Sequence, residues 1–335
     1  MDMRSNPLTV SVTSLRWTLA LALCLTSFAT IPAAQPHRVQ SLEVKVLSTM
    51  LADMDGIGEW GFSALVIADG HRILFDTGAR PETVRNNARE LRVDLTNIPD
   101  VILSHNHGDH TGGLITLRRS VRDEKHLAAL AVTHVGEGIF LKRDVSGRGW
   151  QRMDLVRREY EALGGKMIVH DKPRELYPGI WITGPVERVY PERNFGIGPG
   201  IKVQMPDGSL VEDTIAEDMS LVIDTDRGLV VLTGCGHAGI INTLQYARTK
   251  IRAAPVHAVI GGLHLFQLDE EHLRWTAAKL KEFGVENFLG AHCTGLEATY
   301  RIRELCGLSR KTAAVSAVGG GFKLGEGLHP GSISK

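Results

Sequence analysis

Residues 42–47 read Leu-Glu-Val-Lys-Val-Leu, a period-two alternation of apolar and polar positions that predicts a half-buried strand. Residues 62–68 and 71–75 carry similar apolar runs on either side of Asp69-Gly70, a dipeptide suited to a tight turn, so a hairpin is predicted. The period then changes. Residues 81–92 have helical spacing with Pro81 near the first turn, where the missing N–H costs nothing. Residues 101–104 form a short buried strand that runs straight into histidine-rich sequence. Residues 114–126 read as a helix, 127–133 as a strand, and 144–165 as a glycine-rich loop with a charged helix. Residues 191–213 are rich in Gly and Pro, and a long loop over one face is expected there, in the position to set substrate choice.

The C-terminal half repeats strand and helix more cleanly. Residues 220–224 and 228–233 suggest a hairpin around Thr225-Asp226-Arg227. Helices are predicted at 240–251, 270–283 and 298–305, and strands at 257–260 and 285–289. The alternation is that of an α/β fold, and no repeat or linker divides it, so residues 35–335 are read as one domain. Several predicted strands end just before a His or Cys: His105, Cys235, His264 and His292. Ligands in layered α/β folds collect at such strand ends.

Residues 15–31 form an apolar run opened by Arg16, preceded by Arg4 and followed by Ala33 and Ala34, the pattern of a secretory signal. Residues 1–34 are therefore expected to direct export to the periplasm or beyond, with a mature start near Gln35. The alternative is a retained anchor. The run is short for a membrane span, and no stable span is expected in the mature protein. Leu23 is bulky where lipid attachment at Cys24 would want a small residue. Of 335 residues, 43% are hydrophobic, which excludes disorder for most of the chain. Lys+Arg and Asp+Glu both number 38, a balance that argues against a nucleic-acid partner and leaves a small-molecule substrate as the expected one. Oligomeric state is left open. Beyond the signal stand Cys235, Cys293 and Cys306, an odd number, so at least one thiol is free or bound to something else.

The chemistry is concentrated in His105-Asn106-His107-Gly108-Asp109-His110. Imidazole and carboxylate suit zinc and other first-row divalent ions. Residues two apart in extended backbone point the same way, so His105 and His107 can share one ion. Asp109 and His110, past Gly108, can turn toward a second. His170, His257, His272 and His329 have no such context and are read as structural or exposed.

The segment Ser104-His-Asn-His-Gly-Asp-His-Thr-Gly-Gly113 resembles the HxHxDH signature of the metallo-β-lactamase superfamily. Asp76-Thr77-Gly78 resembles its first motif. Glu59-Trp-Gly-Phe-Ser63, Asn87-Ala88, Thr183-Gly184, Thr233-Gly-Cys-Gly-His-Ala-Gly239, Gly261-Gly-Leu-His-Leu265 and His292-Cys-Thr-Gly295 follow in order. Together they resemble the 7,8-dihydropterin-6-yl-methyl-4-(β-D-ribofuranosyl)aminobenzene-5′-phosphate synthase-like branch, over nearly all of the mature chain. The resemblance implies a four-layered αββα sandwich with a dinuclear metal site at one edge. It implies His105, His107, Asp109, His110 and His292 as ligands, with Asp76 orienting a ligand His from behind. Cys235 falls where relatives carry a bridging Asp or a Cys, and is read as a thiolate ligand or as a small buried residue. The family's middle His ligand has no clean counterpart between residues 135 and 220. His237 is the best substitute, Asp218 a rival oxygen ligand or supporting group, and His134 a group at the pocket wall.

Two divalent ions, zinc first with iron or manganese as alternatives, would yield a metal-activated hydroxide near neutral pH. Asp109 is the candidate to orient that nucleophile and relay its proton. His264 is the candidate to protonate the leaving group or hold the substrate. Gly112 and Gly113 would allow close backbone approach or open a helix. The expected activity is hydrolysis of an ester, lactone or phosphoester. The synthase label is taken as ancestry, since pterin intermediates are cytosolic. An iron-dependent redox enzyme on the same fold ranks below it, because flavodiiron-type relatives usually place Glu where this chain has His107. A metal-containing binding protein without turnover is the third reading.

Overall fold

Alternation in the first strand sorts residues between two layers: Leu42, Val44 and Val46 are fully buried, while Glu43 and Lys45 between them are half-buried. The same sorting holds along Ser63–Ala68 and His71–Phe75, where Ala64, Val66, Ile73 and Phe75 face a central core and Leu65 and Leu74 face the opposite side. These strands belong to an eight-stranded sheet in the order Gly327–His329, Gly321–Lys323, Leu42–Ser48, Ser63–Ala68, His71–Phe75, Asp100–Leu103, Val132–Gly136, Lys166–His170. A seven-stranded sheet runs Arg174–Tyr177, Ile180–Ile182, Leu221–Thr225, Gly228–Thr233, Val256–Gly261, Asn287–Gly290, Ala313–Val315. Its inward residues Ile180, Leu221, Ile223, Val230, Leu232 and Ile260 complete the central core.

Helices close both outer faces. Leu114, Leu117 and Val121 of helix Leu114–Asp123 are spaced for one face and pack on the first sheet. Ile240, Ile241 and Leu244, with Leu273, Ala277 and Leu280, cover the second. A sheet buried on both sides reads as continuous apolar sequence, which is why the strands Leu221–Thr225 and Gly228–Thr233 show no alternation. The result is the αββα layering, in a computed structural model that describes residues 1–3, 8, 36–144, 150–151, 153–192 and 201–334. Residues 36–335 group as one compact unit. The apolar run 15–31, Cys24 and the start near Gln35 lie outside the described residues. Among the described residues no helix is long and apolar enough to cross a membrane.

Three expectations need correction. The strand expected at 127–133 lies at Val132–Gly136, because Leu130 takes a positive φ of 49° and turns the chain, its N–H bonding Ile98 O. Residues 191–213 are not simply a loop: Lys202–Gln204 and Leu210–Glu212 form a hairpin that pairs with Lys142–Asp144 in a small four-stranded sheet. Its turn is Pro206-Asp207-Gly208-Ser209, where Asp207 Oδ1 accepts from Ser209 N and Oγ and Gly208 has φ +87°. Residues 193–200 of that stretch, and 145–149 of the expected glycine-rich loop, lie outside the described residues.

His134 is the third correction. It bonds Asp100 (3.1 Å) at the start of strand Asp100–Leu103, whereas the histidine-rich loop leaves from that strand's end. Its other nitrogen lies 3.0 Å from His170, and Tyr177 of the second sheet donates to Asp100. Burial and the neighbouring His134 and Arg174 push His170 down to about 4. A base whose folded pKa is depressed resists protonation, so its contribution to stability is present above the ordinary imidazole range and lost as pH falls toward 4. His170 is half-buried, which reduces the expected loss to about 1 kcal/mol. Urea unfolding of wild type and His170→Gln between pH 7 and 4 checks this: the variant should show the shallower decline, and equal slopes would reject it.

Candidate metal centre

Strands His71–Phe75 and Asp100–Leu103 run parallel in the first sheet, and Gly228–Thr233, Val256–Gly261 and Asn287–Gly290 run parallel in the second. The residues just past their carboxyl ends are Asp76, the 105–110 segment, Cys235 with His237, His264, and His292. The two sheets approach closely here only because residue 234 is glycine: a Cβ would stand 2.0 Å from Ser104 Oγ and 2.5 Å from Asp76 Oδ2. Gly112 lets two loops of the first sheet close on each other, since a Cβ there would stand 2.0 Å from Ala79 O. Of its two expected roles Gly112 fills close approach and ends the short helix Gly108–Thr111, whereas Gly113 directly precedes helix Leu114–Asp123.

The structure gathers the candidate ligands into overlapping groups whose donor atoms lie within 4.8 Å of one another. These are His105, His107 and His237; Asp109, His110 and His292; and His105, His110 and Cys235. His237 thus joins the two leading histidines. Asp218 is not in any such group, and its Oδ2 instead accepts from Ala238 N at 2.9 Å, bracing the turn that carries His237. Burial raises Asp218 to about 7.

Asp76 is fully buried and takes a positive φ of 56°. Its Oδ1 accepts from Ser104 N (2.7 Å), and its Oδ2 from Ser104 Oγ (2.8 Å) and His110 Nδ1 (2.7 Å). That leaves His110 Nε2 facing inward, 3.1 Å from Cys235 Sγ. Likewise His105 Nδ1 meets Ser104 Oγ, and its buried Nε2 has no hydrogen-bond partner. His292 Nε2 is 3.2 Å from Asp109 Oδ2 without hydrogen-bond geometry, and both its ring nitrogens are otherwise unbonded. His264 and His292 both have positive φ, 51° and 47°, so strained backbone concentrates at this edge.

Burial holds His105 far below the ordinary imidazole range, with the surrounding histidines adding to it, and pushes His107 down to about 3. His110 rises to about 9 because Asp76 and Asp109 outweigh its burial. Asp109 is lowered despite burial by His110, His292 and His107. Buried polar atoms without partners are costly, about 1–3 kcal/mol each. A set of imidazoles, one carboxylate and a thiol converging on such atoms fits first-row divalent ions.

Some residues at this edge had no role legible in the sequence. Cys293 Sγ lies 3.3 Å from Cys235 Sγ, a pairing not visible beforehand, when Cys293 was one of three unassigned thiols and the neighbour of His292. Buried Glu59 accepts from Ser48 Oγ, Ala79 N and Arg80 N, holding the turn after Asp76. Trp60 packs edge-on against His292 (4.8 Å between centroids) and Phe266 (5.5 Å), forming a half-exposed aromatic rim. Glu217 accepts from Asn106 N at 3.1 Å, reaching the ligand loop from 111 residues away.

A profile of the metallo-beta-lactamase superfamily matches residues 60–181. A 7,8-dihydropterin-6-methyl-4-(beta-D-ribofuranosyl)-aminobenzene-5′-phosphate synthase of Methanocaldococcus jannaschii is 32% identical over 232 residues, covering 68% of this chain and 76% of the relative. The solved structure of Tm1679, described as a metal-dependent hydrolase of the beta-lactamase superfamily, is 25% identical with a TM-score of 0.65, covering 85% of this chain and 99% of that one. The metallo-beta-lactamase fold protein YhfI of Bacillus subtilis, at 13% identity and a TM-score of 0.53 over 84% of this chain and 99% of that one, shares the fold.

Proposed function

Since this chain belongs to the metallo-beta-lactamase superfamily, we propose that it is an exported metal-dependent hydrolase of an ester, lactone or phosphoester. The observation that carries the reading is the pair of adjoining donor groups, His105–His107–His237 and Asp109–His110–His292, in which the buried Nε2 of His105 and both ring nitrogens of His292 have no hydrogen-bond partner. Two divalent ions, zinc foremost, would be held there, with Cys235 between the groups. When bound, such ions acidify a shared water and polarise the bond under attack. Asp109 is the one carboxylate of the groups with partial exposure, at 22%, so it can orient the incoming water and receive its proton. Asp76 fixes His110 by accepting its Nδ1–H. His264, 8% exposed at the same edge, would hold or protonate a leaving group, and the Trp60–Phe266 rim would offer an apolar rest for the substrate. Export is supported by the N-terminal pattern of Arg4, the apolar run and Ala33-Ala34.

The test combines elemental analysis with turnover of nitrophenyl esters and bis(nitrophenyl) phosphate. Bound zinc, with turnover lost to a chelator and restored by zinc, is the expected result. Bound metal without turnover would favour a binding protein, and bound iron with oxygen consumption a redox enzyme. The synthase relative supports a second reading, in which an organic second substrate replaces water as the attacking group. Turnover that depends on such a co-substrate would decide for it.

A further inference from the structure

Three adjacent parallel strands of the second sheet, Gly228–Thr233, Val256–Gly261 and Asn287–Gly290, each deliver one soft or borderline donor two or three residues past their ends: Cys235, His264 and Cys293. The three donor atoms lie within 4.8 Å of one another, and all three residues are buried. The two sulfurs are 3.3 Å apart. A disulfide needs about 2.05 Å, while two thiolates on one tetrahedral zinc, each about 2.3 Å from the ion, sit roughly 3.8 Å apart. The observed spacing is nearer the second value, and a small side-chain rotation reaches it. His264 is only 8% exposed, yet neither ring nitrogen has a hydrogen-bond partner. A buried imidazole left in that state needs a partner, and the neighbouring thiol pair is where one would sit.

We propose that Cys235, Cys293 and His264 form a third cation position, a site of two sulfurs and one nitrogen for a thiophilic ion such as Zn2+ or Cu+, adjoining the two histidine–carboxylate groups and sharing Cys235 with them. This donor set matches open three-ligand zinc sites and disfavours Mg2+, Ca2+ and Mn2+. Binding forms two S–metal bonds and one N–metal bond, and the protons of any thiol not already ionised pass to solvent. The proposal goes beyond the two-ion reading and does not depend on turnover. A filled position also ties up the His264 imidazole, so its leaving-group role is open only while this position is empty.

Metal-free protein, prepared under reducing conditions, is titrated with Co2+ and then Zn2+, following bound equivalents and the thiolate-to-cobalt charge-transfer absorption. Wild type should take three equivalents, and Cys293→Ser should take two with a weaker charge-transfer band. X-ray absorption at the zinc edge of the fully loaded wild type should detect sulfur from two cysteines, a readout that stands if the variant fails to fold. Saturation at two equivalents with a single sulfur ligand overturns the third position and leaves the hydrolase reading intact. Refusal of all metal overturns both. A Cys235–Cys293 disulfide resistant to reductant in the metal-free protein also overturns the third position.

Discussion

Replacing His107 by alanine is expected to lower turnover on the order of 10³-fold and to remove one bound ion. The imidazole is 8% exposed and packs at 4.4 Å from His105 and 4.9 Å from His237, ring centroid to centroid. Burial keeps it neutral, so its lone pair is available at physiological pH. With that donor gone, His105 and His237 alone make a two-ligand site, too few to fix a tetrahedral ion with one open position. When both proteins are metal-free their unfolding free energies should agree within about 1 kcal/mol, because the change removes a crowded, desolvated imidazole and no hydrogen bond of the fold. Asp76→Asn should be milder, a loss of about 10- to 100-fold in metal affinity, since it weakens the orientation of His110 without deleting a donor. Metal content and turnover are read in parallel. A His107→Ala protein that kept its full complement of ions and its rate would remove the basis of the proposed function.

Arg143→Ala is expected to cost about 3–5 kcal/mol of stability, measured by urea unfolding, the range seen when one partner of a buried ion pair is deleted. Arg143 is 2% exposed, and its Nε donates to Asp213 Oδ2 at 2.7 Å while its Nη2 donates to Glu217 Oε2 at 2.5 Å. Burial raises Glu217, and Arg143 is the main influence opposing it. Without the guanidinium, two buried carboxylates remain beside each other. Adding Glu217→Gln to the alanine variant should recover part of the loss, because it removes one of those charges. The consequence extends to the site: Glu217 also accepts from Asn106 N, between His105 and His107, so the single variant should bind metal more weakly as well. A loss below about 1 kcal/mol would show that water replaces the guanidinium and that this network does not hold the ligand loop.

These two variants mark the boundary between what could be read locally and what could not. The candidate ligand run 105–110 was legible because its donors lie within six residues, and extended backbone makes alternate side chains point the same way. The Asp69-Gly70 hairpin and the helices of the C-terminal half were legible for the same local reason: Asp69 has φ 47° and Gly70 φ 86°, and apolar spacing marks Leu273, Ala277 and Leu280 as one face. Strand Gly321–Lys323 was not, since it is three residues long and one of its two partners, Glu43–Lys45, lies across the length of the chain. His134 was placed near the pocket because it follows a strand, but whether a side chain faces the ligand end or the far end depends on neighbours in the sheet.

Short-range periodicity in the sequence determined the α/β class and the strand ends where candidate donors gather, while the αββα layering and most of the candidate donors came from the resemblance of its motifs to a known family. Only the tertiary structure decided that His237 rather than Asp218 stands beside His105 and His107, that Cys293 meets Cys235, and that Arg143 of the small sheet and Glu217 of a distant turn brace the loop. Those pairings are set by how two sheets close against each other, and the packing that closes them joins residues distant along the chain.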